Sequence, residues 1–203
     1  MLYNWLKIFI YHFKQNKLFS ALNILGLSIG IAGVLFSILY RNHEMQFDAW
    51  NPYKKEVHQV FGNMGDAGIW PTSPEPLAPI ALETIPEIES YSYFRNYYSS
   101  NVAEYRGKKS IVNNCFNADD KIFEMFPFEF IEGDPKVALK DKQSVVISNE
   151  LAAELFGNEK NLVGKTVRIN NTDLTLKGVY HIPGPSSVAP KLIFNGILDD
   201  LEY

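Results

Sequence analysis

The first 41 residues contain no aspartate or glutamate, although the chain of 203 residues has 23 of them. That stretch holds four basic residues, Lys7, Lys14, Lys17 and Arg41, and so carries +4. Residues 42–203, with 15 basic and 23 acidic side chains, carry −8. The modest formal net charge of −4 therefore conceals two regions suited to different solvents. Cysteine is nearly missing as well: Cys115, alone, forms neither an internal disulfide nor a Cys-rich zinc site. Four histidines, His12, His43, His58 and His181, are scattered without the i, i+4 spacing of a helical metal pair, and no metal is assigned. A composition that is 46% hydrophobic and 21% charged excludes a disordered or collagen-like chain. The acidic surplus after residue 42 argues against nucleic-acid binding.

What the sequence does have is a run of 23 uncharged residues, 18–40 (LFSALNILGLSIGIAGVLFSILY). As a helix it would extend roughly 34 Å, enough to cross a hydrocarbon core of about 30 Å. The run is followed directly by Arg41, Asn42, His43 and Glu44 rather than by a small-residue cleavage site, so it reads as a retained anchor and not a signal peptide. Lys7, Lys14 and Lys17 precede it, which places the N-terminus in the cytoplasm and the acidic body outside. Within residues 1–17, Leu2, Trp5, Leu6, Phe9 and Phe13 fall close to one helical face, the pattern of an amphipathic helix at the cytoplasmic surface. The expected domains are thus an interfacial segment over 1–17, a transmembrane helix over 18–40 and an extracytoplasmic domain over 41–203. Gly26, Gly30, Gly33 and Ser37 recur at spacings of four, three and four. They form a stripe of small residues that would let another helix approach closely, and they are the candidate site residues.

Beyond residue 44 the segments are short and punctuated by Gly, Pro, Asn and Asp, which predicts a mixed α+β domain. Alternation predicts a strand over 57–63. A helix is expected over 74–84, capped by Thr72 or Ser73 and stopped by Pro86. Strands over 88–95, 99–106 and 110–117, with a turn at Gly107 and Lys108, read as a meander. Asp119 and Asp120 precede a short helix ending at Phe126, and residues 132–135 (EGDP) are a turn. A buried strand over 145–148 leads to a helix over 150–156, capped by Ser148 or Asn149 and ended by Gly157. A hairpin follows, with strands over 166–170 and 174–182 and a turn at 171–173.

No constellation of catalytic residues emerges. Gly164, Lys165 and Thr166 resemble the end of a Walker A motif, but the upstream Gly157 is too distant and the segment leads into a strand rather than a helix. Ser186 and Ser187 lie in a Pro-rich loop without an evident base, and Cys115 reads as a packed residue. Asp119, Asp120, Asp199 and Asp200 read as caps and solvated acids. Asn170, Asn171 and Thr172 match a glycosylation acceptor but read better as a turn. No cofactor is assigned, and the chain is read as a non-enzyme.

In order along the chain, residues 14–20 (KQNKLFS), 22–32 (LNILGLSIGIA), 47–50 (FDAW), 123–126 (FEMF), 130–135 (FIEGDP), 145–152 (VVISNELA), 155–157 (LFG) and 163–166 (VGKT) ahead of Gly178 and Val179 are similar to the MacB/FtsX-like permease subunits of ABC transporters. The resemblance implies a first transmembrane helix followed by a MacB-like periplasmic core domain in the cell inner membrane. It also implies a cytoplasmic ABC ATPase partner that hydrolyses ATP, a second permease in a homo- or heterodimer, and a periplasmic adaptor. The family pattern has three further helices; here no second apolar span precedes Tyr203, so the domain is expected to be incomplete at its C-terminus, as a fragment or a natural truncation. The function implied is coupling of ATP hydrolysis to movement of a periplasmic domain, for export or mechanotransmission. The alternative is a stand-alone single-pass extracytoplasmic binding or sensor module.

Overall fold

The computed structural model describes residues 2–97 and 100–196. Asp199, Asp200 and Ser99, the first residue of one expected strand, lie outside the described residues, as does the side chain of His12. The chain divides into two units, residues 1–47 and 48–203.

The first unit contains α1 (Leu2–Gln15) and α2 (Lys17–Gln46). On α1 the rings of Phe9 and Phe13 lie 6.3 Å apart and the Lys7 ammonium sits 5.1 Å from the Tyr3 ring. The 30-residue α2 continues past the uncharged run, through Arg41 and Glu44, and buries none of its residues. It is long and apolar enough to cross a membrane.

The second unit is a mixed sheet with helices on its two faces. It opens with an arm: β1 (Gly62–Asn63) pairs antiparallel with β2 (Ile69–Trp70), and α3 (Leu77–Thr84) follows. Only two residues of the expected 57–63 strand are therefore paired, because alternation supplies a face but no partner. The α3 helix starts at Leu77 after Pro76, with no side-chain cap, rather than at Pro74 behind Thr72 or Ser73.

The main sheet comprises β3 (Phe94–Tyr97), β4 (Asn101–Tyr105), β5 (Lys108–Val112), β6 (Cys115–Ala118), β7 (Glu129–Gly133), β8 (Ser144–Ser148), β9 (Thr166–Ile169), β10 (Thr172–His181) and β11 (Leu192–Asn195). Its order is β3-β6-β11-β8-β10-β9-β4-β5, with β7 paired antiparallel to the second half of β10. The β8/β10 and β6/β11 pairs are parallel and the others antiparallel.

The expected strand over 110–117 is two strands. β5 returns against β4 through a turn at Arg106 and Gly107, both with positive φ, while β6 crosses to pair with β3 and β11. The break falls at Asn113 and Asn114, whose side chains bond Ser100 and the Ala189 carbonyl. The turn of the last hairpin sits one residue earlier than expected, at Asn170 and Asn171, with Asn170 in the left-handed region.

Both faces of the sheet are covered, so alternate residues enter different cores. Val145 and Ile147 of β8, with Leu192 and Phe194 of β11, pack with Leu151, Leu155 and Phe156 of α5 (Asn149–Phe156). Val146, Ile193 and Tyr180 face the aromatic cluster of Phe123, Phe126 and Phe128 around α4 (Ile122–Met125). That double coverage explains why β8 reads as an unbroken apolar run. Ser148 caps α5 by accepting from the Leu151 N–H at 3.3 Å, and Gly157 ends it at φ 63°. At the crossing of β7 and β10 the backbones nearly touch: a Cβ on Gly133 would lie 2.2 Å from the Lys177 carbonyl oxygen, and one on Gly178 2.5 Å from the Phe130 ring. Glycine at both positions is what allows β7 to join.

Candidate functional site

Gly26, Gly30, Gly33 and Ser37 lie within an arc of about 60° on α2, from 100° of rotation per residue. A Cβ added at any of the three glycines would meet nothing within 4 Å. The Ser37 hydroxyl donates to the Gly33 carbonyl at 2.9 Å, so it leaves no unsatisfied donor on this face.

The second unit begins at Asp48, and its first residues are tied down by a dense set of polar contacts. The Asp48 N–H donates to the Pro185 carbonyl at 2.9 Å. Its carboxylate accepts from the Ser186 hydroxyl at 2.7 Å, the Ser187 N–H at 3.1 Å and the Ser187 hydroxyl at 2.5 Å. Partial burial acts against this charge, but the bonds from Ser187 and Ser186 outweigh it and hold the carboxyl below its ordinary value. Three residues on, Asn51 is 3% exposed; its amide donates to the Met125 carbonyl and its carbonyl oxygen accepts from the Tyr53 N–H, each at 2.9 Å. Between them Trp50 packs on Phe128, with ring centroids 5.6 Å apart. Sequence reasoning weighed Ser186 and Ser187 only as nucleophiles. The acceptor of Ser186 is 138 residues away along the chain, within the family-like residues 47–50, and nothing local to either segment links the two.

The remaining candidates have structural partners. Gly164, at φ 91°, forms the turn into β9 and donates to the Leu176 carbonyl, while Lys165 pairs with Glu159 at 2.9 Å and lies over the rings of Tyr105 and Phe156. No phosphate cradle is built there, since the segment opens a strand. Cys115 is buried, and desolvation pushes its thiol up to about 12, which leaves it a neutral packing group. Asp119 accepts from the Lys121 and Tyr93 N–H groups and from Ser92, as a cap does. His43 packs edge-on against Phe47, and His58 is exposed. Among the described residues no three His, Cys, Asp or Glu side chains gather as metal ligands. A cleft of about 180 Å³ beside α5 is lined by Ile131, Glu132, Asn149, Ala152 and Leu162 among others; Glu132 is occupied there by the N–H groups of Asn161 and Leu162.

The sequence signature described as "MacB-like periplasmic core domain" matches residues 20–198. The chain belongs to the MacB-like periplasmic core domain family. A crystal structure of a domain of a permease protein from Porphyromonas gingivalis is similar at 25% identity and a TM-score of 0.50, over 59% of this chain and 55% of that one. The periplasmic region of MacB from Actinobacillus actinomycetemcomitans aligns at 19% identity and a TM-score of 0.43, over 59% of this chain and 55% of that one. The extracellular domain of the noncanonic ABC-type transporter YknZ from Gram-positive bacteria aligns at 15% and 0.44, over 57% and 59%. The chain thus spans little more than half the length of these solved domains. No curated protein matches it. This MacB-like core is of the kind found in ABC-type permeases, which are transporter components rather than classical enzymes. Its family motifs have physical roles here: residues 130–135 and Gly178 make the β7/β10 crossing, residues 145–152 the buried strand and capped helix, and residues 163–166 the turn into β9.

Proposed function

We propose that this chain is the N-terminal part of an ABC transporter permease subunit that couples ATP hydrolysis by a separate cytoplasmic ATPase to movement of its MacB-like domain outside the membrane. The observation that carries the reading is the continuity of the family match, which starts at residue 20, inside the apolar helix, and runs through the whole described sheet to residue 198 of the sequence. In this reading α2 spans the inner membrane with Lys7, Lys14 and Lys17 on the cytoplasmic side. Gly26, Gly30, Gly33 and Ser37 form the face on which a second permease subunit or a further helix packs, and a periplasmic adaptor engages the domain.

Reporter fusions test the topology. Alkaline phosphatase joined after residue 196 is expected to be active in bacterial cells and inactive when joined after residue 16; the reverse pattern would overturn the reading. For the helix face, Gly30→Leu is expected to weaken association in a membrane dimerisation assay, and association equal to that of the unsubstituted helix counts against it. The coupling partner is tested by copurification, with retention of an ABC ATPase by the full chain as the expected result.

A further inference from the structure

The Asp48 segment combines tight bonding with two features that would be relieved if it let go. Asp48 adopts φ 53°, in the left-handed region that a non-glycine residue enters only at some cost. Two residues later the indole N–H of Trp50 is buried and has no acceptor among the described residues, although the Trp50 ring packs against Phe128 and approaches Gly184. A buried, unpaired donor is costly and calls for a reason. Against these unfavourable terms stand the bonds to the Asp48 carboxylate from three donors, the Ser187 N–H reaching both oxygens, and the one from the Asp48 backbone N–H.

The partner of Asp48 is the loop of residues 182–191, which joins β10 to β11, and that loop is fixed at its far end. The buried Tyr180 hydroxyl donates to the Pro190 carbonyl at 2.6 Å, and the Ser148 N–H to the Lys191 carbonyl at 2.8 Å. A displacement applied at Asp48 would therefore reach two central strands instead of dissipating in slack chain. The side chain of Asn51, buried and bonded to the Met125 carbonyl, is anchored independently of the Asp48 carboxylate.

We infer that Asp48, Ser186 and Ser187 form a releasable latch, which ties the first residue of the sheet unit to the β10–β11 loop and opens about Asn51 as a hinge. In the closed state the carboxylate bonds hold the strained backbone; in the open state the backbone relaxes and the Trp50 N–H gains water. The latch deepens the coupling reading, and its use in transport rests on that reading, but its existence is measurable without an ATPase.

Hydrogen exchange on the full chain in detergent micelles tests it, comparing peptides over 48–53, 183–190 and 144–148. In Ser187→Ala and Asp48→Ala, exchange at the Asp48 and Ser187 amides is expected to rise about tenfold while 144–148 keeps its protection. Asp48→Gly, which relaxes the left-handed backbone but removes the carboxylate, is expected to open as well. In a Trp5→Phe, Trp70→Phe background, the emission of Trp50 should shift to the red in each opened variant. Unchanged protection in Ser187→Ala and Asp48→Ala overturns the latch. So does protection retained in Asp48→Gly, since backbone geometry alone would then hold the segment, and so does an equal loss over 144–148, which would mark a general stabilising role. A failed topology or copurification test would defeat the permease reading and leave these exchange results standing; unprotected amides in the unsubstituted chain would do the opposite.

Discussion

Val60, Phe61, Met64, Ile69, Trp70, Leu77, Ile80 and Ile85 are all exposed within the arm that precedes the main sheet, while between residues 101 and 195 the exposed large apolar side chains are Ile111, Ile131, Val137 and Val163. The two regions use similar residues and differ in how the chain is interrupted. In the arm, Gly62, Gly65 and Gly68 and Pro71, Pro74, Pro76 and Pro79 leave room for strands of two residues and one helix of eight. Several of its polar bonds are local: Met64 N–H to the Gly68 carbonyl, Trp70 Nε1–H to Ala67, and the Thr84 hydroxyl to Ile80. In the sheet, buried apolar residues from strands distant in sequence meet in two clusters, and α5 and α4 close the two faces. Apolar character alone therefore does not make a core; long-range pairing does.

Substitutions can sharpen this contrast. The largest effect is expected for Phe194→Ala, because Phe194 is fully buried on β11 and stacks edge-on with Tyr97 at 5.4 Å. It should lose about 3–5 kcal/mol in a denaturant titration of the full chain; a loss below about 1 kcal/mol would show that β11 is not central. Ser148→Ala removes the α5 cap and should cost about 1 kcal/mol by the same measurement. Acid should act on the same helix start. The Glu150 carboxyl is held below its ordinary value by the hydrogen bond with its own backbone N–H, against partial burial, with help from Ser148, His181 and Lys191. A carboxyl lowered in the folded state contributes stability above its unfolded value, and that contribution fades as pH falls through the folded value. The slope of stability against pH below the ordinary carboxylate range should thus be shallower in Glu150→Gln, and an identical slope would remove Glu150 from the account. The smallest effect is expected in the arm, where Ile80→Ala should change stability by less than about 0.5 kcal/mol; a loss comparable to that of Phe194→Ala would erase the distinction between the two regions.

Legibility in the sequence follows the same line. The strand over 145–148, its serine cap, the helix over 150–156 and Gly157 could be read because each depends on neighbours in the chain. The β9–β10 hairpin was legible for the same reason, with its turn displaced by one residue. By contrast β11, four residues between Pro190 and Gly196, is too short to show a period, and β7 was hidden behind the turn signal of residues 132–135. The separation of β5 from β6 depends on partners at opposite ends of the sheet. At the candidate site, the spacing of Gly26, Gly30, Gly33 and Ser37 is a local property and was visible. The bonds of Asp48 to Ser186 and Ser187 are not local, and no sequence window contains both sides.

The pairing of Cys115 with Leu192 has a further consequence, which concerns the order of events as the chain is made. β6 can find β11 only once residues 77 positions further along the chain have been synthesised, whereas its other partner, β3, precedes it and is already present. Until then Phe116 and Val146 lack their common cross-strand neighbour, Ile193. The edge of β6 that receives β11 therefore stays open until the end of the described chain has been made, an interval in which an unpaired strand edge is exposed to aggregation.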